Sequence, residues 1–252
     1  MRTNDKDAAT DKLFVSVIIP CHNHADMLGE AIESVVKQDY RPINIVVIDD
    51  GSDDNPEQVV DSKSKENESD KELNISIIKN EFAQGPSAAR NKAIKYAWED
   101  SDVFIMLDAD DRYLDGKISK SLKKYLESPE HIGIVYTDAI ITNESKGTKI
   151  HEFRRPFSKD ALERECIISN TPLISKQALY EAGLYDEEMR TCEDWDLWLR
   201  ITESFVAVHI PEPLHIYSVT GKNSSDTVSK EVWQENWKRI SEKMMQRKYG
   251  AA

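Results

Sequence analysis

The apolar residues of the first 140 positions follow two recurring patterns. Short unbroken runs, Val15 to Ile19 (VSVII), Ile43 to Ile48 (INIVVI), Ile75 to Ile78 and the run opening at Phe104 (FIML), each stop abruptly in polar residues. That is the pattern of strands buried on both faces of a parallel sheet. Between them, Leu28, Ile32, Val35 and Val36 recur at helical spacing, and Ala88, Ala89, Ala93, Ile94 and Ala97 form a narrow stripe behind a Ser87 cap. A short helix is expected from Pro56 to Asp61, a solvated excursion from Ser62 to Glu72, and a further helix from Asp115 bearing Ile118, Leu122, Tyr125 and Leu126. Strand, helix and strand in this order predict right-handed crossovers and an open α/β sheet.

The alternation ends near residue 140. Ile132 to Ile141 reads as a fifth strand, and the turn Ser145-Lys146-Gly147 sends the chain back as an antiparallel hairpin over Thr148 to Phe153. An irregular stretch follows, then helices over Lys176 to Ala182 and Glu193 to Arg200, short strands over Val206 to Ile210 and Leu214 to Val219, and a terminal helix over 230–247. Trp233 and Trp237 on that last helix can pack on their own domain or on a second copy, so a homo-oligomer is compatible with the pattern. The expected organisation is a flexible tail (1–12), a ligand-binding half (13–140) and an acceptor-side half ending in the helix (141–252) of one domain.

A formal net charge of -13, with acids spread along all 252 residues, disfavours a nucleic-acid partner. No apolar run reaches the length of a membrane span and the first dozen residues lack a signal-peptide core, so the chain reads as cytoplasmic with no integral membrane segment. Cys21, Cys166 and Cys192 are odd in number and form no CxxC pair, which points to reduced thiols. The N-x-S triplets at Asn67, Asn143 and Asn223 are read as chance matches.

The chemistry sits where the strands stop. Asp108, Asp110 and Asp111 crowd three carboxylates after one strand, and Asp49 and Asp50 end another. Like charge at that density calls for a divalent cation, Mn²⁺ or Mg²⁺, and the carboxyl ends of parallel strands are where open α/β sheets bind ligands. There is no GxxxxGK[ST], and no GxGxxG follows the first strand, which excludes a Walker NTPase and a classical dinucleotide dehydrogenase. A diphosphate can join such an acidic site only through a bridging cation.

Five segments, VSVIIPCHNH, IVVIDDGSDD, GPSAARN, FIMLDADD and CEDWDLWLR, resemble in order and spacing the successive motifs of family 2 inverting glycosyltransferases. The resemblance covers roughly residues 14–225 and implies the GT-A fold, a Rossmann-like, mostly parallel sheet flanked by helices with a smaller mixed region on the acceptor side. It implies transfer of a sugar from a nucleotide diphosphate donor, most often a UDP-sugar, to a hydroxyl of a glycan or lipid-linked sugar, with inversion and with a divalent metal. Bacterial surface polysaccharide assembly is the implied setting, with peripheral contact to a membrane-bound acceptor. Carried over by position, Pro20, His22 and Asn23 resemble contacts to the base, and Asp50, alone or with Asp49, the acid that accepts from uracil. Arg90 resembles the arginine that reaches the nucleotide, Asp108 with Ala109 the ribose side, and Asp110 or Asp111 the metal ligand. Asp194 of the Glu193-Asp194 pair resembles the general base. Trp195 offers a stacking face to an acceptor sugar, against the alternative that its spacing from Trp198 makes it core.

Two positions depart from the family pattern. Many members carry a basic residue and a histidine near IYSVTGKNSS, where this chain has Ser218 and Thr220, so either His215 substitutes or the metal keeps more water. Gly85-Pro86 stands where a pair of small residues is common. Two alternatives follow: a non-catalytic nucleotide-sugar-binding or partner module, favoured only by the missing basic residue and histidine near Thr220, and a sugar-phosphate nucleotidyltransferase, which normally carries a Gly-rich basic segment absent here.

Overall fold

The computed structural model describes residues 12–221, 223 and 227–250; the expected tail at 1–12 lies, but for its last residue, outside them. Nine strands form one sheet. They are β1 (Val15–Cys21), β2 (Ile43–Asp50), β3 (Leu73–Asn80), β4 (Val103–Met106), β5 (Arg112–Tyr113), β6 (Ile132–Asn143), β7 (Thr148–Glu152), β8 (Leu173–Ser175) and β9 (Val206–Ser218). Their order is β3-β2-β1-β4-β8-β6-β9-β5, with β7 pairing β6 off that path. The four strands β3, β2, β1 and β4 are parallel; β8 runs antiparallel to both β4 and β6.

The helices described are α1 (Ala25–Val36), α2 (Pro56–Glu66), α3 (Pro86–Tyr96), α4 (Lys117–Tyr125), α5 (Lys159–Leu162), α6 (Lys176–Ala182), α7 (Glu193–Ile201) and α8 (Lys230–Tyr249). Because side chains alternate along a strand, β1 feeds two cores. Val15, Val17 and Ile19 meet Leu28, Ile32 and Val35 of α1 on one face. Ile18 meets Ala89, Ala93 and Ile94 of α3 on the other. Each fully buried Val, Leu or Ile contributes about 1.5–3 kcal/mol, and the alanines of α3 let its backbone approach the sheet. With α1 and α3 on opposite faces, the strand order reverses at β1, β2 and β3 lying to one side and β4 to the other, which leaves a crevice beyond the carboxyl ends of β1 and β4.

The structure differs from expectation in local ways. Helix α2 runs on to Glu66, so the solvated excursion is shorter than the charge run suggested; only Pro56 and Val60 of that helix are buried. Ser87 does not cap α3: Gly85 occupies the cap with Pro86 in the first turn, and the Ser87 hydroxyl donates instead to the Met189 carbonyl at 3.1 Å. Helix α4 begins at Lys117, two residues after Asp115. The expected strands Val206 to Ile210 and Leu214 to Val219 are one strand, β9, whose register against β6 slips around Asp138, which faces Pro213. Proline cannot donate to the ladder, so the register shifts there while the strand continues to Ser218. The stretch read as irregular supplies β8, three residues long and inserted between β4 and β6. Too short for a period to register, it continues the sheet across the boundary near residue 140.

Candidate active site

Beyond the ends of β1, β2 and β4 lies a cleft of about 600 Å³, within the range that holds a nucleotide-sized ligand. Its floor begins where β1 gives out. His22 hydrogen-bonds the Asp50 carbonyl through Nδ1 at 2.8 Å; since a carbonyl only accepts, that nitrogen carries the proton. Asn23 stands at φ 56°, held there because its Oδ1 accepts from Asp53 N at 2.9 Å and its own N–H donates to Ser52 Oγ at 3.1 Å. The loops after β1 and β2 are thereby tied into one wall. Pro20, His22 and Asn23 all line the cleft.

The two acids at the end of β2 part company. Asp50 faces the cleft, and its carboxylate accepts from Asn80 Nδ2 at 2.7 Å, Gln84 N at 2.9 Å and Gly85 N at 2.8 Å. Asp49 is buried below: it accepts from Ser52 N at 2.8 Å, and its other oxygen lies 3.4 Å from Lys79 Nζ. Gly51, at φ 70°, is pressed against the same loop, since a Cβ there would lie 2.6 Å from Ala83 N. The end of β2 therefore clamps the 82–85 loop onto the site through a carboxylate and a glycine.

Arg90, in the second turn of α3 and almost fully buried, joins the two sides of the cleft. Its Nη2 donates to Asp108 Oδ1 at 2.8 Å and its Nη1 to Glu193 Oε1 at 2.7 Å. Burial alone would lower its pKa, but Asp108 and Glu193 outweigh that and raise it; the group is a permanent cation. Asp108 also accepts from Asn170 Nδ2 at 3.0 Å.

Of the next two acids, only Asp110 turns into the cleft. Burial, then repulsion from Asp108, pushes its pKa up to about 6. Asp111 is fully buried, and its oxygens are taken by Ser218 N at 2.9 Å and Asn170 Nδ2 at 3.0 Å. The sequence left the metal ligand open between these two; Asp111 pins β9 to the acidic turn and is not among the residues lining the cleft. Among the described residues no group of three or more His, Cys, Asp or Glu side chains converges on a point. The donor set still fits a divalent ion shared with a ligand: His24 Nε2 is buried without a hydrogen-bond partner, 4.0 Å from Asp110 Oδ2.

On the far wall, Glu193 and Asp194 open α7. Cys192, at φ 58°, turns the chain into the helix, a left-handed conformation that costs a non-glycine residue of order 1 kcal/mol or more and that clusters at functional sites. Asp194 lines the cleft and accepts from Trp195 N at 2.7 Å. Burial, then the Glu193 charge, pushes its pKa up to about 6. Trp195 is not among the residues lining the cleft: its indole donates to the Leu162 carbonyl at 2.7 Å and its half-buried ring packs against the second core.

His215 is also corrected. It is buried beside Thr137, with Nδ1 3.4 Å from Thr137 Oγ1, and burial, then the neighbouring Lys117, lowers its pKa. It does not reach the cleft. Asn223 does, donating to Asp110 Oδ2 at 3.1 Å. His24, Asn170, Arg190, Asn223 and Trp233 were not picked out as site residues by sequence reasoning, yet all line the cleft. His24 had a signal, two residues beyond His22 at a strand end; Asn223 was hidden in a glycosylation-like triplet. Trp237 is largely exposed on α8.

No helix among the described residues is long and apolar enough to cross a membrane. The profile described as Glycosyl transferase family 2 matches residues 16–187. The chain is 28% identical over 221 residues to the uncharacterized glycosyltransferase YwdF of Bacillus subtilis, covering 84% of this chain and 77% of that one. It is 26% identical over 221 residues to the Campylobacter jejuni GalNAc(5)-diNAcBac-PP-undecaprenol beta-1,3-glucosyltransferase, covering 83% and 66%. It spans only about 30% of the length of longer glycosyltransferases from Rickettsia felis and Rickettsia conorii. In structure it is similar to Staphylococcus aureus TarS 1-349 in complex with UDP-GlcNAc (TM-score 0.72, 20% identity, 92% of this chain and 67% of that one). It is also similar to the mannosyltransferase PcManGT of Pyrobaculum calidifontis in complex with GDP-Man and Mn²⁺ (TM-score 0.68, 17%, 96% and 66%). The GT-A fold and a profile match over most of the sheet agree: the chain belongs to glycosyltransferase family 2.

Proposed function

We propose that this protein is a metal-dependent, inverting glycosyltransferase that moves a sugar from a UDP-sugar to a hydroxyl of a glycan or lipid-linked acceptor. The observation that carries the reading is the convergence of Asp50, Asp108, Asp110, Arg90 and Asp194 on one cleft from β2, β4, α3 and α7. In the donor half, Asp50 already accepts three hydrogen bonds; a carboxylate has about four acceptor sites, so one remains for the N3–H of uracil. Cytosine, which offers no proton at N3, would leave that site unfilled. Asp108 faces the ribose, held by Arg90 and Asn170. Asp110 would hold the divalent ion, which when bound offsets the charge of the departing diphosphate.

Asp194 supplies the remaining requirement. An inverting displacement forms the bond from acceptor oxygen to the anomeric carbon as the bond to the donor phosphate breaks; the acceptor proton passes to an Asp194 carboxylate oxygen. A base with a pKa near 6 is ionised at neutral pH and still basic enough to draw that proton, a contribution of about 10²- to 10⁴-fold. Glu193, paired to Arg90, holds the start of α7 against the donor site. The lipid-linked acceptor is supported by the Campylobacter relative, whose name specifies an undecaprenyl diphosphate glycan, and a bacterial surface glycan is the corresponding product class.

The test is calorimetric titration of UDP, with CDP and GDP for comparison, in the presence and absence of Mn²⁺. Binding of UDP that needs the metal and is lost in Asp110→Ala supports the donor half and justifies screening UDP-sugars for transfer. No nucleotide binding under either condition would remove the reading.

A further inference from the structure

Resting on the donor-site reading above, we propose that His24 is a second protein ligand of the divalent cation, and that it tilts the site toward Mn²⁺ over Mg²⁺. The acid turn alone does not specify this. His24 comes from the loop between β1 and α1, next to the turn after β4 that carries Asp110, and three features prepare it to ligate.

Its tautomer is set. Nδ1 lies 2.9 Å from the His22 carbonyl oxygen, which can only accept, so Nδ1 carries a proton and the neutral ring keeps its lone pair on Nε2. That lone pair is orphaned: Nε2 is buried and has no hydrogen-bond partner, although an unpaired buried polar atom is costly and uncommon. And it is aimed. Nε2 lies 4.0 Å from Asp110 Oδ2. Two neighbouring ligands of an octahedral ion at ~2.1 Å stand about 3.0 Å apart, so the two side chains need close by only about 1 Å.

The surroundings are those of a supported ligand pair. The His22 carbonyl orients the imidazole and Asn223 Nδ2 donates to Asp110 Oδ2 at 3.1 Å, orienting the carboxylate; such outer partners fix the direction of metal ligands. With no group of three or more metal-binding side chains converging among the described residues, two protein ligands leave the rest of the shell to phosphate oxygens and water. The ion would be held weakly until the donor arrives. Mg²⁺ dehydrates reluctantly and keeps oxygen ligands, whereas Mn²⁺, a first-row transition ion, can exchange a water for an imidazole nitrogen at less cost.

Pulsed electron paramagnetic resonance of Mn²⁺ bound to the full chain with UDP tests the ligand directly, because a coordinated imidazole nitrogen modulates the spin echo. The expected result is ¹⁴N modulation in the parent protein, kept in His131→Ala, whose exposed ring lies outside the cleft lining, and lost in both His24→Ala and His24→Gln. Mn²⁺ affinity, read from the free-ion signal, should fall by more than about tenfold in the His24 variants, with Mg²⁺ affinity changing by less than about threefold. His24→Gln keeps a polar side chain of similar reach and guards against a folding artefact. Mn²⁺ that binds with UDP but shows no ¹⁴N modulation, or modulation that survives His24→Ala, overturns the assignment of His24 and leaves the donor reading standing. Mn²⁺ that fails to bind at all overturns both.

Discussion

Replacing Asp194 by asparagine separates catalysis from stability in opposite directions. The fold raises the Asp194 pKa from 3.8 to about 6, chiefly by burial and then by Glu193. The native state therefore holds a proton more tightly than the unfolded chain, and stability falls as pH rises through that window. Two pKa units correspond to about 3 kcal/mol, which partial exposure to the cleft reduces to on the order of 2 kcal/mol. Asparagine carries no charge and keeps the acceptor for Trp195 N, bonded at 2.7 Å in the parent. Asp194→Asn should thus raise Tm by about 4–8 °C at pH 8, by progressively less as pH falls through 6, and by almost nothing below pH 4. Transfer from a UDP-sugar should fall by about 10²- to 10⁴-fold while UDP affinity holds. Calorimetric melts at several pH values, beside a transfer assay, read both effects. A variant less stable than the parent at pH 8, or a Tm difference independent of pH, would refute the claim that the site strains Asp194.

Other expectations follow from the same geometry. Arg90→Met leaves Asp108 and Glu193 without their shared cation; a loss of about 3–5 kcal/mol in denaturant unfolding is expected, and Arg90→Lys should recover only part because an ammonium cannot fork to both acids. Gly51→Ala drives a methyl group to 2.6 Å from Ala83 N at a positive φ, so UDP should bind more weakly by titration calorimetry and Tm should fall, with a cost of about 1–3 kcal/mol. Lys117 is wholly buried and its pKa drops to about 7 through burial, so the parent gains stability as pH rises from about 7 toward 10.5; Lys117→Met should raise Tm more at pH 6 than at pH 9.5. The transfer rate should lose its dependence on pH above about 7 and fall as Asp194 protonates below about 6, a profile absent from Asp194→Asn.

Much of this protein was legible as one-dimensional pattern. The parallel strands β1 to β4, the helices between them, the hairpin of β6 and β7 and the helix opening at Glu193 all follow from runs and spacings, because burial on two faces of a sheet or one face of a helix leaves a local periodicity. The acids at strand ends were legible for the same reason: a strand that is apolar until it stops places its first polar residues at the sheet rim. What the sequence left open was which of two adjacent acids faces the ligand. Asp49 and Asp50, or Asp110 and Asp111, are equivalent as letters, and they diverge only because Ser52, Lys79, Asn170 and Ser218 satisfy the buried partner. Trp195 and His215 illustrate the converse, since a carbonyl at Leu162 and a hydroxyl at Thr137 claim side chains that composition alone would offer to a ligand. Strand β8 left no pattern because three residues span less than two periods. His24 and Asn223 stand 199 positions apart, and only the tertiary fold brings both to Asp110. Periodicity records what each segment buries; the partners of a carboxylate or an imidazole come from distant segments, so their roles were decided by the tertiary structure.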